Sequence, residues 1–284
     1  MPPLQRIGIV GCGLSGCGIA RVAALSGYAV HICENSQENL AFAFEKSSTF
    51  FKRQAMGGIL SDDEVQQTLA RIHGSIDLED LKVSDLVIET IPEDLERKIH
   101  IHQELDRLCP PQTILVSHSS SFSITAIASA TQRPQQVAGL HFFHPIHMID
   151  LVEVVKTSLM SPLTLDTLCD FVRSLNKEPI LVADAPGFVV NRLLVAHVLH
   201  AIRLVEADIA TKEDVDKAME IGCGYPMGPF TLMDFLGLDR IYRIAQNLYR
   251  EYQDPQYLPP ASLEQLVAAG HLGKKTGQGF YTYP

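Results

Sequence analysis

An apolar run at residues 5–10 passes directly into Gly11-Cys12-Gly13-Leu14-Ser15-Gly16, and a further apolar stretch follows through Leu25. This junction of strand, glycine loop and helix constrains the chain more than any other feature. The spacing GxGxxG is common by itself. Here it ends a strand and opens a helix at the start of a βαβ unit, and that context gives it a mechanism. The first glycine permits a tight turn, the second lets the backbone approach a pyrophosphate, and the third lets the helix pack closely. Phosphates then face the helix N-terminus, where unpaired N–H groups and the dipole favour anions. Gly11, Gly13, Leu14 and Gly16 are the expected cofactor-binding residues of this loop. Glu34 closes the second strand, 18 residues after Gly16. A carboxylate there accepts hydrogen bonds from ribose hydroxyls and repels a 2′-phosphate. No Arg or Lys occurs in Asn35-Ser36-Gln37, so the expected cofactor is NAD and not NADP.

The rest of the chain fits the same architecture. Strand-like runs recur at 28–33, 84–89, 113–117, 137–142, 150–155 and 179–183, with helical segments between them. Strands alternating with helices imply a mostly parallel sheet covered on both faces. Ser61-Asp62-Asp63-Glu64 has the form of a capping box opening one of those helices. After Asp184-Ala185-Pro186-Gly187 the pattern turns helical, at 188–209, 212–221, 230–250 and 262–269. The expected fold class is α/β, an N-terminal Rossmann-type doubly wound sheet over 1–184 followed by a C-terminal all-helical domain over 185–284. A hydrophobic fraction of 46% with 20% charged residues suits a soluble globular chain. The net charge of −10 disfavours nucleic acid and anionic membrane surfaces as partners. No run approaches the roughly 18 apolar residues of a membrane-spanning helix. The start lacks the pattern of a signal peptide. Six scattered cysteines without a CxxC pair read as reduced thiols, and the expected compartment is the cytoplasm.

From residue 117 onward the sequence becomes specific. The segments SHSSSFSITAIA at 117–128, GLHFFHP at 139–145 and LVEVV at 151–155 resemble the 3-hydroxyacyl-CoA dehydrogenase family. So do DAPGFVVNRLL at 184–194, GYPMGPFTLMDFLGLD at 224–239 and LGKKTGQGFYTY at 272–283. The resemblance spans essentially the whole chain, and is greatest to short bacterial 3-hydroxybutyryl-CoA dehydrogenases. It implies transfer of a hydride between NAD and C3 of a (3S)-3-hydroxyacyl-CoA, in a cleft between the two domains of a homodimer. It also implies that His141 is the catalytic base, Glu153 its partner, Ser120 a contact to substrate and nicotinamide, and Asn191 a junction residue. Glu93, Lys98 and His144 would lie on the cofactor side.

Elementary chemistry agrees. Removing a proton from an alcohol as hydride leaves its carbon calls for a base that titrates near neutrality, and histidine suits that. A glutamate on the other ring nitrogen fixes the tautomer and stabilises the imidazolium. Ser120 lies just past a strand, where a doubly wound sheet opens its ligand crevice. The chain departs from the family where His118 and His144 replace amides, and where Asp150 and Gly57 replace basic residues. Lys52 and Arg53 remain as candidate partners for the CoA phosphates. His141, His144 and His147 are spaced by three, but Pro145 and strand-like flanks argue against a metal site. Three other readings stay open: an acyl carrier protein thioester, a free 3-hydroxy acid, or a catalytically silent NAD-binding protein. In the helical part, Phe230, Leu232, Met233, Phe235 and Leu236 offer more apolar helix surface than a unit of that size easily hides, and the resemblance implies that this is the dimerisation surface.

Overall fold

The computed structural model describes residues 4–120 and 122–284; Met1–Pro3 and Ser121, the last of the serine run noted above, lie outside them. Eight strands form one sheet: β1 (Arg6–Val10), β2 (Ala29–Cys33), β3 (Ile72–Ser75), β4 (Leu86–Glu89), β5 (Ile114–Ser117), β6 (Val137–Phe142), β7 (Leu151–Lys156) and β8 (Glu178–Ala183). Their order is β3-β2-β1-β4-β5-β6-β7-β8. All neighbours run parallel except β6 and β7, which are antiparallel. Ile7, Ile9, Ile32, Leu86, Ile88, Ile114 and Val116 are fully buried, as expected of parallel strands covered on both faces. Helix α1 (Leu14–Leu25) presses Ile19, Ala20, Ala23 and Ala24 into that core. The other helices of this part are α2 (Gln37–Met56), α3 (Asp62–Leu69), α4 (Leu95–Leu108), α5 (Ile124–Ser129) and α6 (Pro162–Ser174). Helix α3 carries the expected capping box, with Ser61 and Glu64 bonded reciprocally.

Strand β3 has no counterpart among the expected strands. Its four residues, Ile-His-Gly-Ser, carry one large apolar side chain, so no alternation is visible. Register with β2 makes it a strand, and Gly74 lets it lie close to α2: a Cβ there would sit 2.6 Å from Leu40 Cδ1.

Helix α4 buries His102 completely, its Nδ1 2.8 Å from the Lys98 carbonyl oxygen. Desolvation lowers its pKa from the ordinary 6.5, against the pull of Glu89. Because the neutral ring is favoured in the fold, stability is unaffected above pH 6.5. It falls as pH drops below that value, where the unfolded chain takes up a proton that the fold resists. A His102→Leu chain should therefore lose less Tm than the parent between pH 7 and pH 5. Equal losses would show that His102 is not among the acid-sensitive groups.

The chain folds as two compact units, Met1–Asp184 and Ala185–Pro284. The second unit holds α7 (Val190–Glu206), α8 (Lys212–Cys223), α9 (Pro229–Leu236), α10 (Leu238–Tyr252) and α11 (Ala261–Ala268). The single helix expected over 230–250 is two helices. Gly237 breaks it, at a φ of 97° that few other residues adopt. The expected apolar surface also needs correction: Phe230 and Met233 are fully buried in this unit's own core with Val198, Leu199, Ile241 and Leu248, Leu232 and Leu236 are partly buried, and of the five only Phe235 is exposed. Buried Asp234 accepts hydrogen bonds from the Phe280 and Tyr281 amides and the Tyr283 hydroxyl. A Cβ on Gly273 or Gly279 would collide with Asp234, which accounts for the glycines of the last motif.

Candidate active site

In a doubly wound sheet, ligands bind outside the carboxyl ends of the strands, where the strand order reverses. Here that point lies between β1 and β4. The glycine loop follows β1, Glu34 follows β2, the segment 90–94 follows β4 and His118–Ser120 follow β5. A cavity of about 920 Å³ opens there, lined by Gly11, Gly13, Leu14, Glu34, Asn35, Thr90 and Ile91 among others. That volume is ample for a cofactor.

The loop geometry explains its glycines. Gly11 sits at a φ of 82°. A Cβ on Gly16 would overlap the Gly11 carbonyl oxygen and lie 2.5 Å from Thr90 Oγ1, so the first helical turn can stack on the loop only without a side chain. At Gly13 a Cβ would meet nothing within 4 Å, so that face of the loop is open to a ligand backbone. Gly13 is the N-cap of α1 and offers no side-chain cap, leaving the helix N–H groups to bind an anion. The Glu34 carboxylate accepts hydrogen bonds from the Cys12 and Asn35 amides, which fixes it at the rim of the cavity. These features suit the diphosphate and ribose of an adenine dinucleotide.

Deeper in the same unit a buried ion pair shapes the wall. Lys98 Nζ donates to Glu89 Oε1 at 2.7 Å and to the Ile91 carbonyl oxygen at 3.1 Å. Glu89 also accepts from the Ile91 amide and from Ser117 Oγ. Both members of the pair are buried, and each has further hydrogen bonds besides the one they share, which favours tolerance of a buried pair. Glu93, at the surface, lies 3.6 Å from Lys98 Nζ. It accepts from Ser119 Oγ, the Ser120 amide at 2.7 Å and Ser120 Oγ at 3.1 Å. Glu93, Lys98 and Ser120, expected separately, are thus one connected network. Glu89 and Ser117 escaped sequence reading. Their only signal was a polar residue closing each of two otherwise apolar strands.

His141 and Glu153 meet because β6 and β7 are antiparallel and pair them directly opposite each other. His141 Nδ1 lies 2.6 Å from Glu153 Oε2, and both residues are buried. With the proton on Nδ1 donated to the carboxylate, Nε2 is the basic nitrogen. The His118 ring stacks near the His141 ring, centroids 5.7 Å apart at 28°, and Phe143 meets His141 edge-on at 4.6 Å. His118 Nδ1 lies 2.9 Å from the Leu140 carbonyl oxygen. His144 is partly buried in the segment after β6. Asp184, at the end of β8, accepts hydrogen bonds from Ser123 Oγ and from the Ile124 and Thr125 amides, tying down the loop that carries His118–Ser120.

Two expected groups belong to other elements. Lys52 and Arg53 are exposed near the end of α2. Asn191 belongs to the helical unit and is the second residue of α7; it is buried, and its amide nitrogen finds no hydrogen-bond partner among the described residues. No cluster of metal-ligating side chains occurs among the described residues, and no helix among them is long and apolar enough to cross a membrane.

Comparison with known proteins bears on these features together. Residues 6–185 match the model of the 3-hydroxyacyl-CoA dehydrogenase NAD binding domain, and residues 187–283 that of the 3-hydroxyacyl-CoA dehydrogenase C-terminal domain. The chain is 42% identical over 287 residues to a mitochondrial hydroxyacyl-coenzyme A dehydrogenase of Rattus norvegicus, covering 99% of this chain and 91% of that one. It is 41% identical to a 3-hydroxybutyryl-CoA dehydrogenase of Mycobacterium tuberculosis, covering 99% of both. The solved (S)-3-hydroxybutyryl-CoA dehydrogenase of Ralstonia eutropha superposes with a TM-score of 0.94 at 35% identity, again over 99% of each chain. With both halves matched in order, and with a dinucleotide loop after β1 and a buried histidine–glutamate pair on β6 and β7 of the same sheet, this chain belongs to the 3-hydroxyacyl-CoA dehydrogenase family.

Proposed function

We propose that the protein interconverts (3S)-3-hydroxyacyl-CoA and 3-oxoacyl-CoA with NAD as cofactor, and that the His141–Glu153 pair carries the proton transfer. That pair, 2.6 Å apart and buried at the sheet's ligand-binding end, is the observation that carries the reading. NAD, when bound, supplies the hydride acceptor; the protein supplies position and the base. Gly11, Gly13, Leu14 and Gly16 hold the diphosphate, and Glu34 holds the adenosine ribose. His141 Nε2 accepts the hydroxyl proton. Glu153 keeps the ring in the required tautomer and stabilises the imidazolium as it forms. Ser120, held by Glu93, orients the hydroxyl, while Lys98 holds Glu93 and the 90–94 segment in place on the cofactor side. His144 takes the nicotinamide-side position of the family amide. Asn191 offers its unpartnered amide to the thioester carbonyl, and Lys52 and Arg53 serve the CoA phosphates. The test is NADH oxidation, followed by absorbance, with 3-oxoacyl-CoA esters of increasing length against the free 3-oxo acids and carrier-protein thioesters. Turnover confined to the CoA esters is expected. Preference for a free acid would overturn the assignment.

The protein is further read as a cytoplasmic homodimer. Its six cysteines are all free thiols, which supports a reducing compartment. Leu193, Ile209, Ile221 and Phe235 of the helical unit are exposed apolar side chains, which supports self-association there. Light scattering at micromolar concentration should give twice the chain mass. A monomer, or a dimer whose hydrogen-exchange protection maps to residues 4–184, counts against it.

A further inference from the structure

The glycine loop contains a feature that neither the dehydrogenase chemistry nor the sheet requires. Cys12, between the first two glycines, and Cys17, in the first turns of α1, place their sulfurs 2.7 Å apart. A disulfide needs about 2.0 Å, so the sulfurs have less than one ångström to travel. The other thiols are different. Cys33 and Cys109 are buried, and burial pushes each pKa up to about 11; Cys169 is buried, and Cys223 is exposed. Among the described residues none of these four is paired with a second sulfur in this way.

We propose that Cys12 and Cys17 are a dithiol that a hydroperoxide converts to an intramolecular disulfide, and that this modification weakens NAD(H) binding. Cys12, like Cys33, is part of the cavity lining, so a hydroperoxide in the cavity meets the pair at Cys12, with the Cys17 sulfur in contact with it. As neutral thiol, Cys17 donates to the Cys12 carbonyl oxygen at 2.8 Å. Its thiolate is favoured by the hydrogen bond from Cys12, which outweighs desolvation, and by Arg21 one turn further along α1; that same bond, with burial, raises the thiol of Cys12. The positive end of α1 acts in the same direction on Cys17. One of the two sulfurs, as thiolate, attacks a peroxide oxygen; the O–O bond breaks, and an alcohol (or water) leaves with the proton that the thiol released. That sulfur is then a sulfenic acid. The other thiol condenses with it, forming the S–S bond and releasing water. Two thiols lose one electron each, and the peroxide gains two.

The consequence follows from position. Drawing the Cys12 sulfur toward α1 moves the peptide units of residues 11–13, including the Cys12 amide that holds Glu34. Loss of one charge-assisted hydrogen bond from that set would weaken NADH binding about tenfold or more.

The test uses the full-length protein and reads sulfur chemistry and binding, so its outcome is independent of the substrate assignment. Reduced protein is exposed to hydrogen peroxide with and without saturating NAD, alkylated and digested with trypsin. Peptide Ile7–Arg21 contains both cysteines and no other. It should escape alkylation and be lighter by two hydrogens, reversibly with a dithiol reductant, and more slowly when NAD fills the cavity. NADH affinity, read by fluorescence titration, should fall on oxidation and return on reduction. Cys17→Ala and Cys17→Ser should bind NADH before and after peroxide alike. Oxidation to sulfinic acid without the disulfide, or modification confined to Cys223, would overturn the proposal. So would a disulfide that leaves NADH affinity unchanged.

Discussion

His141→Ala is expected to lose about 10²–10⁴-fold in kcat, the usual contribution of a positioned general base. The reason is the geometry of one pair. Glu153 Oε2 accepts a hydrogen bond from Nδ1–H at 2.6 Å, which makes Nε2 the nitrogen that can accept a proton. Alanine removes that acceptor and takes one hydrogen bond from a buried carboxylate, so some loss of Tm should accompany the loss of rate. Glu153→Gln separates the two effects. It keeps the shape and removes the charge that stabilises the imidazolium, so turnover should slow while the fold persists. Both variants should retain NADH binding, because the loop residues lie on other strands. Steady-state kinetics at neutral pH, with NADH fluorescence titration alongside, reads both quantities. If His141→Ala turns over at nearly the parental rate, another group is the base.

Gly16→Ala should weaken NADH binding by about 10- to 100-fold, the loss of one or two charge-assisted hydrogen bonds. The added methyl would overlap the Gly11 carbonyl oxygen. That neighbour is backbone, so the loop and the first turn of α1 must separate. Gly13→Ala serves as the contrast. Nothing lies within 4 Å of a Cβ there, so the unliganded fold should keep its Tm while the methyl obstructs the ligand. Gly16→Ala should lower Tm as well as affinity. A Gly16→Ala protein that binds NADH like the parent would mean that the loop is not the diphosphate site.

These variants also mark what was legible in the chain. The glycine loop could be read because its requirements are local: a strand, a turn with positive φ and a helix start within about 20 consecutive residues. The buried strands could be read because a parallel sheet covered on both faces needs continuous apolar runs. The acid after β2 could be read because its distance from the loop is set by one βαβ unit.

Other features have no local signature. Strand β3 exists only through its register with β2, since its four residues carry almost no hydrophobic pattern. Phe230 and Met233 look like surface on an isolated helix, yet they fill the core of the helical unit. Whether an apolar side chain is covered depends on which other helices pack against it. The break at Gly237 is a choice of backbone conformation that glycine permits without requiring.

The sequence by itself determined that the chain builds a dinucleotide-type βαβ start, a mostly parallel sheet and a helical remainder, and through resemblance it singled out His141 and Glu153. Only the tertiary structure decided that those two residues touch. They are 12 positions apart, and it is the antiparallel turn-back of β7 on β6, in an otherwise parallel stretch of sheet, that sets them face to face. Tertiary structure likewise joined Glu89, Lys98 and Ser117, and brought the Cys12 and Cys17 sulfurs together. The physical reason is the same in each case. Periodicity and turn chemistry act over a few residues, whereas a hydrogen bond or sulfur contact between distant elements depends on strand order, register and helix placement.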